Sequence, residues 1–484
     1  MKKQSVSVKK NFVYSMLYQI IALALPLLTT PYVSRVLGAE EIGKYSYAVA
    51  MASYFTITAT LGSATYGQRT IAYYRDDKEK LSQKFWNILS FRILTAVLAS
   101  ILYIIYLYLF DGITLIKLAT GLYIINVAFD ISWFFQGIEN FRLTVIRGLF
   151  VKVVSFLLVF IVIRNQNDTW KYASIVYGCV LLGNITLWHG IKTNINRPKN
   201  IAPFEGIKEM WLVFLPTIAA QVYTVLDKSM IGWVTNSNYQ NGCYEQSEKL
   251  VRAAIVAITS ISTVILSKVA NLYHNGKDEK AKYYVYKGYQ VVLMLALPMM
   301  FGFVSVANIL IPIYLGPGYE LAIQLLKIFS LLLVFVTLAS VTGIAYLVPT
   351  KQQNIYTVSV VISAIINFII NLLCIPKYGA FGAAIASVVA EAIGVMIQIG
   401  YCVKTGQLNI KKIFIPSWKC FMASILMFVV VVGAKRLISQ SFVSLFFLII
   451  LGIVVYFVVL LILRDKLFLQ AVNGIIKKVK RLRY

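Results

Sequence analysis

Pro31-Tyr-Val-Ser-Arg-Val-Leu-Gly38 and Leu226-Asp-Lys-Ser-Met-Ile-Gly232 each place charge inside a long apolar stretch of this sequence. An apolar run of about 20 residues crosses a bilayer as a helix, so both stretches are predicted to span a membrane. Charge is costly in hydrocarbon, and a charged residue within a span indicates a functional site. Arg35 and Lys228 are therefore the first candidate functional residues.

Composition extends this prediction to the whole chain. Of its 484 residues, 59% are hydrophobic and only 13% are charged. That balance is too apolar for a soluble globular protein. We predict an all-α polytopic membrane protein with about fourteen transmembrane helices. The apolar runs cover residues 12–34, 45–68, 85–110, 114–136, 143–164, 170–190, 208–234, 249–273, 285–311, 321–348, 353–375, 379–403, 414–434 and 442–463.

The N-terminus and the cysteines point to no processing or metal chemistry. The first apolar run is too long for a signal-peptide core and lacks a small-residue cleavage site after it, so we expect the first helix to be retained. The five cysteines lie far apart without a CxxC pair, which is typical of small packing residues. Neither a cofactor, a metal site nor a disulfide framework is implied.

The positive charges predict the topology. The net charge is +27, and 32 of the 46 Lys and Arg residues fall on the N-terminus, alternate loops and C-terminal tail. Nine fall on the opposite loops, and five lie within predicted spans. By the positive-inside rule both termini are cytoplasmic, in agreement with an even number of spans. This distribution favours a membrane surface over a nucleic acid as the reason for the basic charge.

The C-terminal residues 465–484 form a further basic segment. Apolar pairs recur every four residues, as at Leu467/Phe468 and Ile475/Ile476, with lysines and arginines between them. This pattern predicts an amphipathic helix on the inner membrane surface. A frayed charged tail is the alternative reading.

The two halves of the chain resemble each other. Residues 69–80 match residues 268–280 in order and character, and each half begins with a proline-containing helix. Six helices per half give parallel repeats, which typically enclose a central site that opens alternately to each side. The predicted parts are an N-lobe (1–190), a linker (191–207), a C-lobe (208–405), an appended helix pair (406–464) and the tail.

Six stretches resemble motifs of the Wzx-type oligosaccharide flippases. They are Pro31-Tyr-Val-Ser-Arg-Val-Leu-Gly-Ala-Glu-Glu-Ile-Gly-Lys-Tyr-Ser-Tyr47, Asp130-Ile-Ser-Trp-Phe-Phe-Gln-Gly-Ile-Glu139, Leu226-Asp-Lys-Ser-Met-Ile-Gly232, Leu315-Gly-Pro-Gly-Tyr319, Leu347-Val-Pro-Thr-Lys351 and Pro376-Lys-Tyr-Gly-Ala-Phe-Gly-Ala-Ala-Ile-Ala386. Their order and spacing carry the resemblance, which covers the chain to about residue 410. That family belongs to the multidrug/oligosaccharidyl-lipid/polysaccharide exporter superfamily.

The resemblance implies a fold and a substrate. The fold is two six-helix lobes around a cavity. The substrate is an undecaprenyl-diphosphate-linked oligosaccharide, flipped to the outer leaflet of the bacterial cytoplasmic membrane for capsular or exopolysaccharide assembly. The implied partners are this lipid-linked sugar, the bilayer, and a polysaccharide polymerase with its assembly proteins.

Cations within the spans suit such a substrate, because a diphosphate is held by Lys or Arg, most strongly where water is scarce. The candidates for a cationic cavity are Arg35, Arg92, Arg147, Lys152, Lys228 and Arg252. For Arg35, Arg147 and Arg252 the alternative is extension of the side chain to the headgroup layer.

Acidic residues within the spans are few and leave other functions open. Asp130, Asp227 and Glu391 are candidates for ion pairing or for coupling to protons or sodium. A cation-coupled multidrug antiporter and a lipid II-type flippase of the same superfamily are the alternatives. An antiporter for organic cations needs buried carboxylates, whereas these spans hold more cations than acids. An enzyme is disfavoured, since the predicted external loops are short and the two histidines lack a nucleophile or metal partners nearby.

Overall fold

A computed structural model of the chain describes residues 8–191, 195–196, 200–439, 441–470 and 472–473. These residues form α-helices with short 3-10 and π-helical segments, and they contain no strand. The predicted all-α fold is therefore confirmed.

Seventeen α-helices follow one another along the described chain. They are α1 (Val8–Thr60), α2 (Ser63–Tyr74), α3 (Lys78–Tyr106), α4 (Leu115–Phe129), α5 (Ser132–Gly137), α6 (Phe141–Val162), α7 (Thr169–Leu187), α8 (Ile207–Thr235), α9 (Asn238–His274), α10 (Asp278–Tyr314), α11 (Glu320–Phe329), α12 (Leu332–Ala339), α13 (Gln353–Tyr378), α14 (Ala380–Lys404), α15 (Ile410–Phe414), α16 (Trp418–Lys435) and α17 (Phe442–Ile462).

All fourteen predicted apolar runs fall on these helices. Over the described residues, nine helical segments are long and apolar enough to cross a membrane. The other five runs lie on α1, which carries the first two, and on α4, α7 and α8. Three runs are interrupted: 45–68 by a turn at Leu61 and Gly62, 114–136 at Asp130, and 321–348 by a turn at Ser330 and Leu331.

The chain divides into two compact units, residues 1–242 and 243–484, and the division falls inside α9. The first unit contains α8, which contacts α1 and α2. The sequence-based lobes were drawn from the repeat rather than from contacts, and their limits at residues 190 and 208 stay a prediction.

Two glycines of the first motif shape α1. Gly38 has φ 79° and ψ 169°, a left-handed conformation that kinks the helix and that only glycine adopts without strain. Gly43 lies against the backbone of the α9 N-terminus, where an added Cβ would be 1.7 Å from the carbonyl oxygen of Asn238. The motif therefore supplies a kink and a close backbone contact.

The fourth-span motif builds an aromatic core at the end of α4. Trp133 is 1% exposed, stacks on Phe85 with ring centroids 5.5 Å apart, and donates its indole N–H to the carbonyl of Asp130. Gly67 of α2 meets the Trp133 ring, where a Cβ would approach to 2.6 Å. The absence of a side chain at Gly67 thus lets α5 pack closely on α2 after the break at Asp130.

The described part of the linker is bound to the start of α3. Glu205 accepts from the ammonium of Lys84 and, at 2.5 Å, from the amide of Asn87. Asn87 accepts in turn from the backbone N–H of Ala202, at 3.0 Å. Hydrogen bonding from Lys84 lowers the pKa of Glu205 below its usual value.

The second unit is held by close helix pairs. Gly382 of α14 faces the backbone of Cys374 on α13, where a Cβ would lie 2.7 Å from the carbonyl carbon. The predicted appended pair, α16 and α17, packs against α10, and Tyr456 donates to the carbonyl of Met294 at 2.7 Å. Most of the predicted amphipathic tail, residues 471 and 474–484, lies outside the described residues.

Replacing Gly43 by alanine should destabilise the protein by about 1–3 kcal/mol or more, because the new methyl group overlaps backbone atoms that cannot rotate away. Gly400→Ala is the matched control, since α14 leaves open space there and alanine favours a helix. The midpoint of thermal unfolding in detergent measures both. Equal midpoints for the two variants would contradict the close α1–α9 contact.

Glu205→Gln should lower the thermal midpoint at neutral pH. A carboxylate with a lowered pKa stabilises the fold above its unfolded pKa, and this contribution disappears as the pH falls through the folded pKa. The difference between wild type and variant should therefore shrink below about pH 4.5, the ordinary pKa of glutamate. Asp76→Asn, at a wholly exposed carboxylate, is the control. A difference that persists in acid would argue against the Lys84 contact.

Candidate functional site

A polar cavity of about 560 Å³ lies inside the first unit. Its walls come mainly from α1, α4 and α7, with one residue from each of α2, α3, α6 and α8. The charged and amide groups in the lining are Arg92, Arg147, Asp130, Asn126 and Asn184. Among largely apolar helices this is a ready site for a charged headgroup.

Arg92 is the most deeply buried cation of the cavity, with 2% of its side chain exposed. Its Nε donates to the carbonyl of Val127 at 3.2 Å, and one terminal nitrogen donates to the hydroxyl of Ser63 at 3.0 Å. The other terminal nitrogen lies 3.8 Å from a carboxylate oxygen of Asp130. Each guanidinium nitrogen therefore has a partner within the protein, and Arg92 joins α2, α3 and the end of α4.

Each carboxylate oxygen of Asp130 also has a partner within the protein. One carboxylate oxygen accepts the backbone N–H of Ser132 at 2.9 Å, which holds the break after α4. The other oxygen faces Arg92. This carboxylate balances one buried arginine, so the second arginine of the cavity has no carboxylate of its own among the lining residues.

Arg147 differs because its side chain is only half-buried and its guanidinium is only partly hydrogen-bonded. One terminal nitrogen donates to the side-chain oxygen of Asn184. Asn184 is fixed by a 3.1 Å hydrogen bond to Asn126, which donates at 3.1 Å to the carbonyl of Tyr177. Within the described residues the buried Nε of Arg147 has no hydrogen-bond partner. Because buried donors are normally satisfied, Arg147 is the incompletely paired cation of the cavity.

Other predicted cations of the first unit lie elsewhere. Arg35 is exposed on α1, and Lys152 is half-buried on α6 without being part of the cavity lining. Lys228 is half-buried on α8, next to the buried Asp227. On the following residue, the hydroxyl of Ser229 hydrogen-bonds Tyr54 at 2.7 Å.

The remaining two candidates belong to the second unit. Arg252 forms an ion pair with Glu248 at 2.6 Å, one turn away on α9. Glu391 is half-buried on α14. Of the nine predicted residues, the structure therefore brings Arg92, Arg147 and Asp130 together in one cavity.

Sequence reasoning missed the amides that hold Arg147. Asn126 and Asn184 are 5% and 1% exposed and lie in apolar helices. A buried amide in a spanning helix is itself costly and indicates a polar partner. Asparagines within apolar runs were therefore the sequence signal for these two residues, and a search for charged residues alone does not find them.

Comparisons with known proteins agree with the membrane fold. Residues 8–268 match a family model described as "Polysaccharide biosynthesis protein". A relative from Escherichia coli (strain K12), named "Putative O-antigen transporter", is 22% identical over 418 residues, which cover 81% of this chain and 96% of the relative. A relative from Shigella dysenteriae with the same name is 22% identical over 81% of this chain and 99% of its own length.

The fold is also that of a solved flippase. A lipid II flippase in an inward closed conformation superposes with a TM-score of 0.76 at 16% identity, over 94% of this chain and 99% of that one. At this identity the likeness establishes the fold alone. The family match and the relatives named as O-antigen transporters confirm the resemblance to the Wzx-type flippases that the motifs predicted.

Arg92→Met and Arg147→Met should have different effects on folding. Loss of Arg92 removes two buried hydrogen bonds and leaves the half-buried Asp130 without its partner, and should destabilise the protein by about 2–3 kcal/mol. Arg147→Met should cost much less, since it removes one hydrogen bond and an unsatisfied donor. Thermal unfolding in detergent measures both, with the exposed Arg142→Met as control. If Arg147→Met lowered the unfolding midpoint more than Arg92→Met, the main role of Arg147 would be to stabilise the fold.

Proposed function

The chain belongs to the polysaccharide biosynthesis protein family, and on that premise we propose that it flips undecaprenyl-diphosphate-linked oligosaccharide repeat units across the bacterial cytoplasmic membrane. The direction is from the inner to the outer leaflet, for assembly of capsular or exopolysaccharide. Both termini are cytoplasmic in this proposal, as the distribution of positive charge favours.

The observation that carries the proposal is the half-buried, incompletely hydrogen-bonded Arg147 in the lining of a polar cavity. The two arginines outnumber the one carboxylate of the lining, so the cavity favours an anion. A guanidinium holds phosphate oxygens through several parallel N–H donors, and the attraction is strong where water is scarce. In this mechanism Arg147 binds the diphosphate, Asn184 orients its guanidinium, and Arg92 supplies fixed positive potential.

The names of the relatives support transport rather than catalysis, since both describe O-antigen transporters. We propose alternating access as the transport mechanism, with Arg35, Lys152, Lys228 and Arg252 as further cations for the moving headgroup. Outward movement of a net negative headgroup is favoured by an inside-negative potential, by about 2.3 kcal/mol per charge per 100 mV.

A drug antiporter of the same superfamily is the second candidate. An organic cation needs a free carboxylate, but Asp130 is engaged by Arg92 and by the N–H of Ser132. The cavity therefore suits an antiporter poorly. Coupling to protons or sodium through Asp130, Asp227 or Glu391 remains compatible with flipping, and vesicle transport with each ion gradient collapsed would test it.

In cells that lack the native gene, wild type should restore surface polysaccharide, whereas Arg147→Gln should lower it by about tenfold or more. The reason is loss of a charge-assisted contact to the diphosphate. Lipid-linked repeat units should accumulate on the inner leaflet at the same time. Quantified surface polymer and extracted lipid-linked precursor, at equal membrane abundance of the protein, provide the measurement.

Arg142→Gln is the matched control, because it removes an exposed arginine from the same helix, α6. Normal polymer in Arg147→Gln would overturn the role of this cavity. Normal polymer in the deletion itself would overturn the flippase proposal and direct attention to drug export.

A further inference from the structure

A second cavity of the first unit differs in chemistry from the first. It measures about 540 Å³ and shares no lining residue with the polar cavity. Four of its eight lining residues are aromatic and three carry a carboxylate or amide, and none is Lys or Arg. They are Tyr47, Tyr106, Phe110, Asp111, Gly232, Trp233, Asn236 and Asn238.

We propose that this cavity is a sugar-binding site that receives the oligosaccharide headgroup at the outer end of the first unit. This proposal rests on the function proposed above and adds a second place on the path, which nothing in the family match assigns. Tyr47 precedes Ser53 of the polar cavity by six residues on α1, a rise of about 9 Å along the helix.

The position of the cavity follows from where the helices end. Asp111 ends the π-helical segment Leu107–Asp111 after α3, and Asn236 caps the C-terminus of α8. Charge alternation places both of these ends outside the cytoplasm. The polar cavity, with Arg92 at the middle of α3, lies nearer the cytoplasmic end than this cavity does.

Aromatic rings and hydrogen-bond acceptors together match a sugar. A sugar ring has an apolar C–H face that packs on aromatic rings and hydroxyl groups that donate to carboxylates and amides. Tyr106 and Phe110 lie face to face with centroids 6.0 Å apart, and Trp233 adds a third ring. The cavity volume is within the usual range for small-ligand sites.

The ion pair between Asp111 and Lys117 favours a neutral ligand over a cation in this cavity. Lys117 lies 3.1 Å from its Oδ1 atom and neutralises the charge, and the hydroxyl of Tyr47 donates to the same oxygen at 3.3 Å. Over the described residues the buried Oδ2 atom has no hydrogen-bond partner. A neutralised carboxylate in the lining of a cavity is better suited to a sugar hydroxyl than to a cation.

Gly232 of the seventh-span motif makes room for this arrangement. A Cβ at Gly232 would lie 2.4 Å from the ring of Tyr47, so glycine lets that ring pack directly on α8. The ring in turn carries the hydroxyl to Asp111. The glycine thereby gives the motif a role in shaping the second cavity.

Photocrosslinking in cells tests the proposal. The full chain carries p-benzoylphenylalanine in place of Trp233 or Tyr106, and repeat units are labelled metabolically with a tritiated sugar. After irradiation the protein is treated with mild acid, which cleaves the bond between sugar and diphosphate. Label that survives acid was attached through the sugar, whereas label released by acid was attached through the polyprenyl chain. The control position is Phe446, an exposed residue of α17.

We expect acid-stable label at positions 233 and 106 and none at 446. Asp111→Asn should reduce the label at 233 by about tenfold, and Asp76→Asn, at an exposed carboxylate, should not change it. If Asp111→Asn fails to accumulate in the membrane, Tyr106→Ala with the probe at 233 replaces it, since it leaves the Asp111–Lys117 pair intact.

The outcomes separate this inference from the flippase proposal. Only acid-labile label, or none, in a probe variant that restores surface polysaccharide would overturn the sugar site while flipping stands. Normal polysaccharide in the deletion strain would overturn the flippase function and, with it, this inference. Equal acid-stable label at 446 would show that capture is not specific to the cavity and would also reject the site.

Discussion

The cost of placing charge in an apolar layer governs the first unit of this protein. Arg92 is buried among spanning helices, and its guanidinium is matched by Asp130, by the hydroxyl of Ser63 and by the carbonyl of Val127. The carboxylate of Asp130 and the carbonyl of Val127 are available because α4 ends at Asp130 and leaves its last carbonyls without helical partners. The helix break, the buried ion pair and the polar cavity are consequences of the same requirement.

The two arginines of the cavity are paired to different extents and therefore have different roles. Arg92 is satisfied by the protein and contributes electrostatic potential, whereas Arg147 keeps a donor that its neighbours do not use. Partial satisfaction of a buried group is unfavourable in the empty protein, and a ligand that completes it gains affinity. In the proposed mechanism this cavity binds a phosphate-bearing headgroup, and the aromatic cavity at Tyr47, which precedes the polar cavity on α1, adds surfaces for neutral sugars.

In the motifs that indicate the family, the glycines determine how the helices bend and pack. The arginine of the first motif is exposed, but Gly38 provides a left-handed kink and Gly43 a backbone contact that a methyl group would prevent. In the seventh-span motif, Gly232 receives the ring of Tyr47. A charged residue in an apolar run is conspicuous in a sequence, whereas the atoms that face a glycine become known only after folding.

The sequence by itself determined the class of fold. Apolar runs of spanning length predicted the helices, because each backbone group in lipid must be bonded within its own helix. Motif order and spacing indicated the family, and the residue types identified Arg92, Arg147 and Asp130 as candidates. Tertiary structure alone decided which candidates meet, since helical neighbours in space are set by packing between segments distant in the chain. It joined Arg147 to Asn184, left Lys152 outside the cavity lining, and paired Arg252 with Glu248.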